Sequence, residues 1–148
     1  MNSNTSGMNL ILVHDEIAWK AYHSIRRHVL FELRGRVDYD ETLPDEFKSG
    51  HFPLLFSVGG RPVGTSRLDI ASEEDEMGTL RLVAILPEYQ RQGIGRAMMD
   101  EVEKFAAARG LRQLNVNAAH DAVSFYQKIG WHLVDGTRKS PLMTKTLS

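Results

Sequence analysis

The stretch that most restricts how this chain can fold is Val83-Ala84-Ile85-Leu86-Pro87-Glu88-Tyr89-Gln90-Arg91-Gln92-Gly93-Ile94-Gly95-Arg96-Ala97. An apolar run stops at a proline, a short polar loop follows, and a Gly-x-Gly opens an amphipathic segment. That order predicts strand, turn and helix. The first four N–H groups of any helix lack intrahelical acceptors, and the helix dipole concentrates partial positive charge there. Gly93 and Gly95 carry no Cβ, so phosphate oxygens can approach the backbone closely. Arg91 and Arg96 flank the turn and can add charge-assisted hydrogen bonds. The pattern reads as a pyrophosphate cradle, and the competing reading is a plain turn before a helix. A Walker loop needs Gly-Lys-Ser/Thr, which is absent, and a dinucleotide fingerprint needs a small residue where Met98 stands.

The flanking sequence predicts an α/β chain. Residues 9–13 read as a first strand, with Asp15 as the cap of the helix that follows. Ile17, Ala21, Ile25, His28, Val29 and Leu33 recur at helical steps and mark its expected apolar face, which Gly35 ends. Residues 36–50 are acidic and turn-rich, with one helical turn expected near Pro44 to Lys48; they read equally as a wall for a second substrate or as a solvated loop. Residues 53–58 and 62–70 straddle Gly59-Gly60, a hairpin signal, and residues 79–86 complete a meander that runs into the cradle. Ile94, Met98, Val102 and Phe105 form the stripe of the next helix, with Asp100 and Lys104 expected to pair outside and Gly110 to end it. A strand at 111–117, a short helix at 119–129 stopped by Gly130, and strands at 131–134 and 142–147 close the chain.

Composition narrows the function classes. A chain of 148 residues fits one domain. We expect a disordered polar tail at residues 1–7 and a single domain over 8–148. Hydrophobic residues at 42% and charged ones at 25% argue against disorder elsewhere. A formal net charge of -1 with no basic run argues against a nucleic-acid partner. The absence of cysteine excludes disulfides, thiolate metal sites and cysteine nucleophiles. No metal is expected either, because the six histidines lack helical i, i+4 spacing. No apolar run approaches the ~20 residues of a membrane span and no signal peptide is visible, so no membrane partner and a cytoplasmic location are expected.

Gln90-x-x-Gly93-x-Gly95, directly after an apolar strand and Pro87, resembles the coenzyme A signature of the GCN5-related N-acetyltransferase (GNAT) family. Residues 117–131 resemble that family's second signature, through Ala122, Phe125, Tyr126, Lys128, Gly130 and the aromatic Trp131. The family's usual asparagine, seven positions before the tyrosine, is Ala119 here; Asn117 stands two residues earlier. The resemblance implies a mixed, mostly antiparallel sheet split into a V and flanked by helices, with acetyl-CoA in the opening as co-substrate. It further implies pairing of the pantetheine arm with the backbone of Val83, Ala84 and Ile85, and of the pyrophosphate with Arg91, Gln92, Gly93, Ile94, Gly95 and Arg96. Asn117, Ala122 and Phe125 would complete the binding surface. A homodimer is common among proteins of this resemblance.

The implied reaction is direct acetyl transfer to a primary amine of a small molecule, amino acid or peptide. The alternative is a non-catalytic CoA-binding sensor or interaction module of the same fold. An amine like that of lysine has a pKa of about 10.4, so its deprotonation at pH 7 costs roughly 4–5 kcal/mol. Tyr126 is the expected catalytic acid for the departing thiolate, since a phenol stays protonated at neutral pH; its other reading is a core aromatic beside Val123 and Ile129. Many relatives carry a glutamate on the strand before the cradle, but residues 79–86 hold no carboxylate and only one charge, Arg81. Glu73, Glu74, Asp75 and Glu76 are either a lure for a cationic acceptor or a solvated turn. His120, then His51, are the histidines that could serve as a base near neutrality, and the competing reading of His120 is a plain surface histidine. A chain of waters is the other option.

Overall fold

The computed structural model describes residues 7–42, 44–71, 74 and 76–147. The expected tail at residues 1–7 lies, Gly7 apart, outside them. The fold is a mixed α/β sheet of seven strands: β1 (Met8–Leu12), β2 (His51–Val58), β3 (Arg61–Asp69), β4 (Met77–Ile85), β5 (Gln113–Asn117), β6 (His132–Asp135) and β7 (Leu142–Thr146). Their order across the sheet is β1-β2-β3-β4-β5-β7-β6, antiparallel throughout except between β4 and β5. The parallel pair is joined by α2 (Ile94–Ala108), while α1 (Glu16–Arg26) and α3 (Val123–Lys128) complete the helices. Among the described residues, no helix is long and apolar enough to cross a membrane.

Helices cover both faces, which is why residues 53–56 of β2 are buried without alternation. Leu54 and Phe56 join Leu68, Leu80, Met98, Val102 and Leu114 under α2 and α3. Leu55 points the other way, to Ala18, Tyr22, Ile25 and Ala84 under α1. The β2–β3 hairpin closes on Gly59 and Gly60, with φ of +59° and +80°. A two-residue turn with both central residues at positive φ matches the twist of the strands it joins, and glycine accepts that conformation without strain.

Two details depart from the sequence reading. The core face of α1 is Ala18, Tyr22 and Ile25, while Ile17 is 83% exposed and Leu33 is 55% exposed. The helix winds more loosely over Arg27–Phe31, with one extra residue per turn, and then tightens over Glu32–Arg34 before Gly35 ends it at φ +74°. That change of pitch rotates Leu33 off the face a regular period would give it. On α2, Lys104 pairs with Glu101 at 3.3 Å rather than with Asp100. The spacing i, i+3 serves a helix surface as well as i, i+4.

Arg26 is buried on the α1 face because Glu46 meets it there. Glu46 comes from the short helical turn Pro44–Phe47, and its other oxygen accepts from the Tyr22 hydroxyl at 3.0 Å. Removing one partner of a buried ion pair strands the other in a low-dielectric site. Glu46→Gln should therefore lower the unfolding free energy by about 3 kcal/mol or more in urea titrations at pH 7. A loss below about 1 kcal/mol would mean that water already solvates the pair.

Candidate functional site

β4 stays paired with β3 as far as Ile85, but with β5 only from Met77 to Leu80. Beyond Leu80 the two parallel strands diverge. The register with β3 runs from Arg67 opposite Arg81 to Thr65 opposite Ala84, so Leu82 and Val83 together oppose Ser66. Leu82 takes φ +56° at this bulge. A bulge bends its strand and increases local twist, and here it sits where β4 leaves β5. The result is the V, with an unpaired edge along residues 81–85.

The trough ends on the start of α2. Gly93 occupies the N-cap in a left-handed conformation at φ +80°, and no side chain caps the helix. The first-turn N–H groups are therefore available to a ligand. Arg91 also adopts positive φ, +62°, and Arg91, Gln92, Gly93 and Arg96 are exposed around the turn, with Ile94 buried beneath. Gly95 has a packing reason as well. A Cβ there would come within 3.3 Å of the Phe125 ring, so the glycine lets the start of α2 lie against α3. Ala122 is half-buried at the entry to α3, and Asn117 is exposed at the end of β5. The two sequence motifs thus meet across the V.

Gln90 adds a feature that the sequence did not reveal. The Leu86 N–H bonds to Val63 across the β3–β4 ladder, so the neighbouring Ile85 carbonyl turns to the open side. Gln90 Nε2 donates to that carbonyl at 2.9 Å. Gln92 Nε2 likewise donates to the Glu88 carbonyl at 2.7 Å, tightening the loop.

At the other end of the trough, Leu80, Leu82 and Asn117 form one wall of a cavity of about 480 Å³. Its remaining lining comes from α1 (His23, Arg26), from residues 36–46 (Tyr39 and Glu46 among them), and from Arg67 on β3 and Arg81 on β4. From the acidic stretch at 36–50, Arg36, Asp38, Tyr39, Asp40, Glu41 and Glu46 thus line a cavity. Sequence reasoning missed His23, whose Nδ1 meets the Tyr39 hydroxyl and whose ring stacks on Trp19. Burial, then the nearby Arg26, lower its pKa and keep the imidazole neutral. It also missed Arg67 and Asp69; two charges alternating in a strand that turns one face to a helix were the available signal. His120 is exposed and His51 lies 3.6 Å from Asp69, and neither lines the cavity. The acidic connection is only partly described. Glu73 and Asp75 lie outside the described residues, while Glu76 pairs with Arg112 at 3.5 Å.

Tyr126 is buried between Phe125 and Trp131, edge-on to both at 5.3 Å between centroids. Desolvation pushes its pKa up to about 12. The phenol is protonated at any physiological pH, and it is not one of the cavity-lining residues.

The comparisons with known proteins agree with this geometry. Residues 16–131 match the family model described as "Acetyltransferase (GNAT) family". The Bacillus subtilis protein described as "Uncharacterized N-acetyltransferase YjcF" is 28% identical over 127 residues, covering 86% of this chain and 87% of its own. Among solved structures, an acetyltransferase of the GNAT family from Staphylococcus aureus Mu50 superposes with a TM-score of 0.75 at 15% identity, covering 95% of this chain and 99% of that one. The PaiA N-acetyltransferase of Thermoplasma acidophilum, solved in complex with coenzyme A, gives 0.75 at 15% identity over 94% and 98%.

A raised tyrosine pKa has a consequence for stability. The burial of Tyr126 favours the folded state fully below pH ~10, where the unfolded phenol begins to ionise. That contribution is lost as the pH rises through about 12. Unfolding free energies measured from pH 9 to 12 should fall more steeply in the wild type than in Tyr126→Phe. Parallel profiles would refute the desolvated phenol.

Proposed function

Because the chain belongs to the GNAT acetyltransferase family, and is thereby an acyltransferase of the N-acetyltransferase class, we propose that it moves an acetyl group directly from acetyl-CoA to a primary amine of a small molecule, amino acid or peptide. One observation carries this reading. A single trough offers unpaired strand edge along β4, uncapped helix N–H groups at Gly93, and a charged cavity at its far end. These groups fit a ligand with amides in its arm and a pyrophosphate at its end.

In this reading Val83, Ala84 and Ile85 pair with the pantetheine amides, and Gln90 yields the Ile85 carbonyl as the ligand's own donor arrives. Arg91, Gln92, Gly93, Ile94, Gly95 and Arg96 hold the pyrophosphate through backbone N–H groups and two guanidiniums. Asn117, Ala122 and Phe125 bound the opposite side. Acetyl-CoA, when bound, supplies an acetyl thioester already activated toward amines. A backbone N–H of residues 83–85 donates to the thioester oxygen as negative charge builds there. The amine nitrogen bonds to the acetyl carbon, the carbon–sulfur bond breaks, and Tyr126 gives its proton to the sulfur. The proton leaving the amine passes to water in the cavity, and water returns a proton to the Tyr126 phenolate, so that amide and free thiol are the net products. A cytoplasmic setting accompanies this reading.

Thiol release from acetyl-CoA over a panel of amines, amino acids and short peptides tests the proposal. Turnover with one class of acceptor is expected, falling about a hundredfold or more in Tyr126→Phe while acetyl-CoA still raises the melting temperature. Silence across the panel with that thermal shift intact would favour a sensor without turnover. In Gly93→Val the shift itself should vanish, because the left-handed N-cap and the approach to the backbone are both lost. A shift that persists would sink the cradle.

A further inference from the structure

The cavity floor is a chain of charges on the sheet face that α1 covers. Arg67 donates through Nε to Asp69 Oδ1 at 2.8 Å and through Nη2 to Oδ2 at 3.0 Å, and its Nη1 stands 3.5 Å from Glu46 Oε1. Arg26 donates to that same Glu46 oxygen. Arg81 donates through Nε to Asp69 Oδ2 at 2.9 Å. Three guanidiniums therefore share two carboxylates, a surplus of one positive charge.

The surplus surfaces at Arg81. Its side chain is 50% exposed, against 8% for Arg26 and 6% for Arg67. Arg81 lines the cavity, and among the described residues the hydrogen bond of its Nε to Asp69 is its one anchor to a carboxylate. The acids of the wall are engaged elsewhere. Asp38 is clasped by Arg36 at 3.0 and 2.7 Å and Glu41 by Arg27 at 3.1 Å. Asp40 keeps its negative charge and is held to its own turn by Thr42, so what favours an anion at Arg81 is its exposed guanidinium and not the net charge of the cavity. Neutral His23 brings no compensating charge. Arg81 is also the first residue of β4 beyond its last pair with β5, Leu80 with Val116, so its side chain lies where the trough opens into the cavity.

Resting on the transferase reading above, we propose that Arg81 binds a carboxylate of the acceptor, so that the amine acetylated belongs to an amino acid or a similar small amino-carboxylate. A guanidinium whose two terminal nitrogens no described residue engages matches a carboxylate in charge and in fork geometry. Arg67 and Arg26 stay buried behind it, and through Asp69 and Glu46 they hold Arg81 in place.

Matched acceptors decide the matter: an amino acid, its primary amide, and the amine that lacks the carboxyl group. Wild-type kcat/KM for the acid should exceed that for the amide by roughly tenfold to a hundredfold, mostly through KM. Arg81→Gln should remove that preference, Arg81→Lys restore part of it, and Arg81→Glu turn it toward diamines. A merely structural arginine would instead lower all acceptors alike and shift the urea midpoint. Equal use of acid and amide by the wild type, or a preference for diamines, overturns the carboxylate site while leaving the transferase standing. Absence of thiol release with every acceptor overturns the transferase reading instead. Calorimetry on the CoA-loaded protein then tests the site alone: tighter binding of the acid than the amide, lost in Arg81→Gln, supports it, and equal binding overturns it.

Discussion

Everything in this molecule follows from the point at which β4 stops pairing with β5. Four residues of parallel ladder, from Met77 to Leu80, tie the two halves of the sheet together. The bulge at Leu82 and Val83 then bends β4 while β3 follows it. An exposed strand edge is ordinarily an aggregation hazard. Here it is recessed between α2 and the β5–α3 connection, which makes it usable by a ligand and hard to reach for another sheet. One local irregularity produces the trough, its polar lining and the mouth of the cavity.

The two sides of that sheet solve burial differently. Under α2 and α3 the core is apolar, with Leu68, Leu80, Met98, Val102 and Leu114 fully enclosed. Under α1 an aliphatic patch gives way to Arg26, Glu46 and Arg67, all buried. An apolar cluster of similar volume would serve stability at least as well, since charge desolvation offsets most of what an ion pair gains. The charges are therefore better explained by what they border. They run beneath the cavity and end at a half-exposed guanidinium beside the trough, so the stabilising network and the proposed acceptor surface are one set of side chains.

Much of this was legible in the residues. Periodicity and glycine placement located the strands to within a residue or two, the Asp15 cap, the Gly59-Gly60 turn and the ends at Gly35, Gly110 and Gly130. Local chemistry determines those features, so local reading finds them. On α1, Leu33 was misplaced because the helical pitch changes after Arg26, whereas Ile17 lies in the regular first turn and is exposed because the buried stripe runs through Ala18, Tyr22 and Ile25. The charged floor was missed for a different reason. Arg26, Glu46, Arg67, Asp69 and Arg81 are up to 55 positions apart in the sequence, and only the β3–β4 register and the turn at 44–47 bring them together. Gln90 was read as part of a signature; that it closes the Ile85 carbonyl depended on the direction of one ladder bond.

The two motifs of the second half are physically a single joint. Gly95 keeps a close contact open, since a Cβ there would press to 3.3 Å of the Phe125 ring, and Phe125 in turn packs edge-on to Tyr126, which packs on Trp131. A side chain at position 95 would move the α2 start away from α3, widening the trough at the end where the helix dipole acts. The same displacement would reach Tyr126 through one aromatic contact. The helix start at Gly93 and the setting of the buried phenol are thus linked by packing through the Phe125 ring. That coupling accounts for why a turn motif and an aromatic motif some thirty residues apart occur in the same chain. Each sets the distance that the other needs.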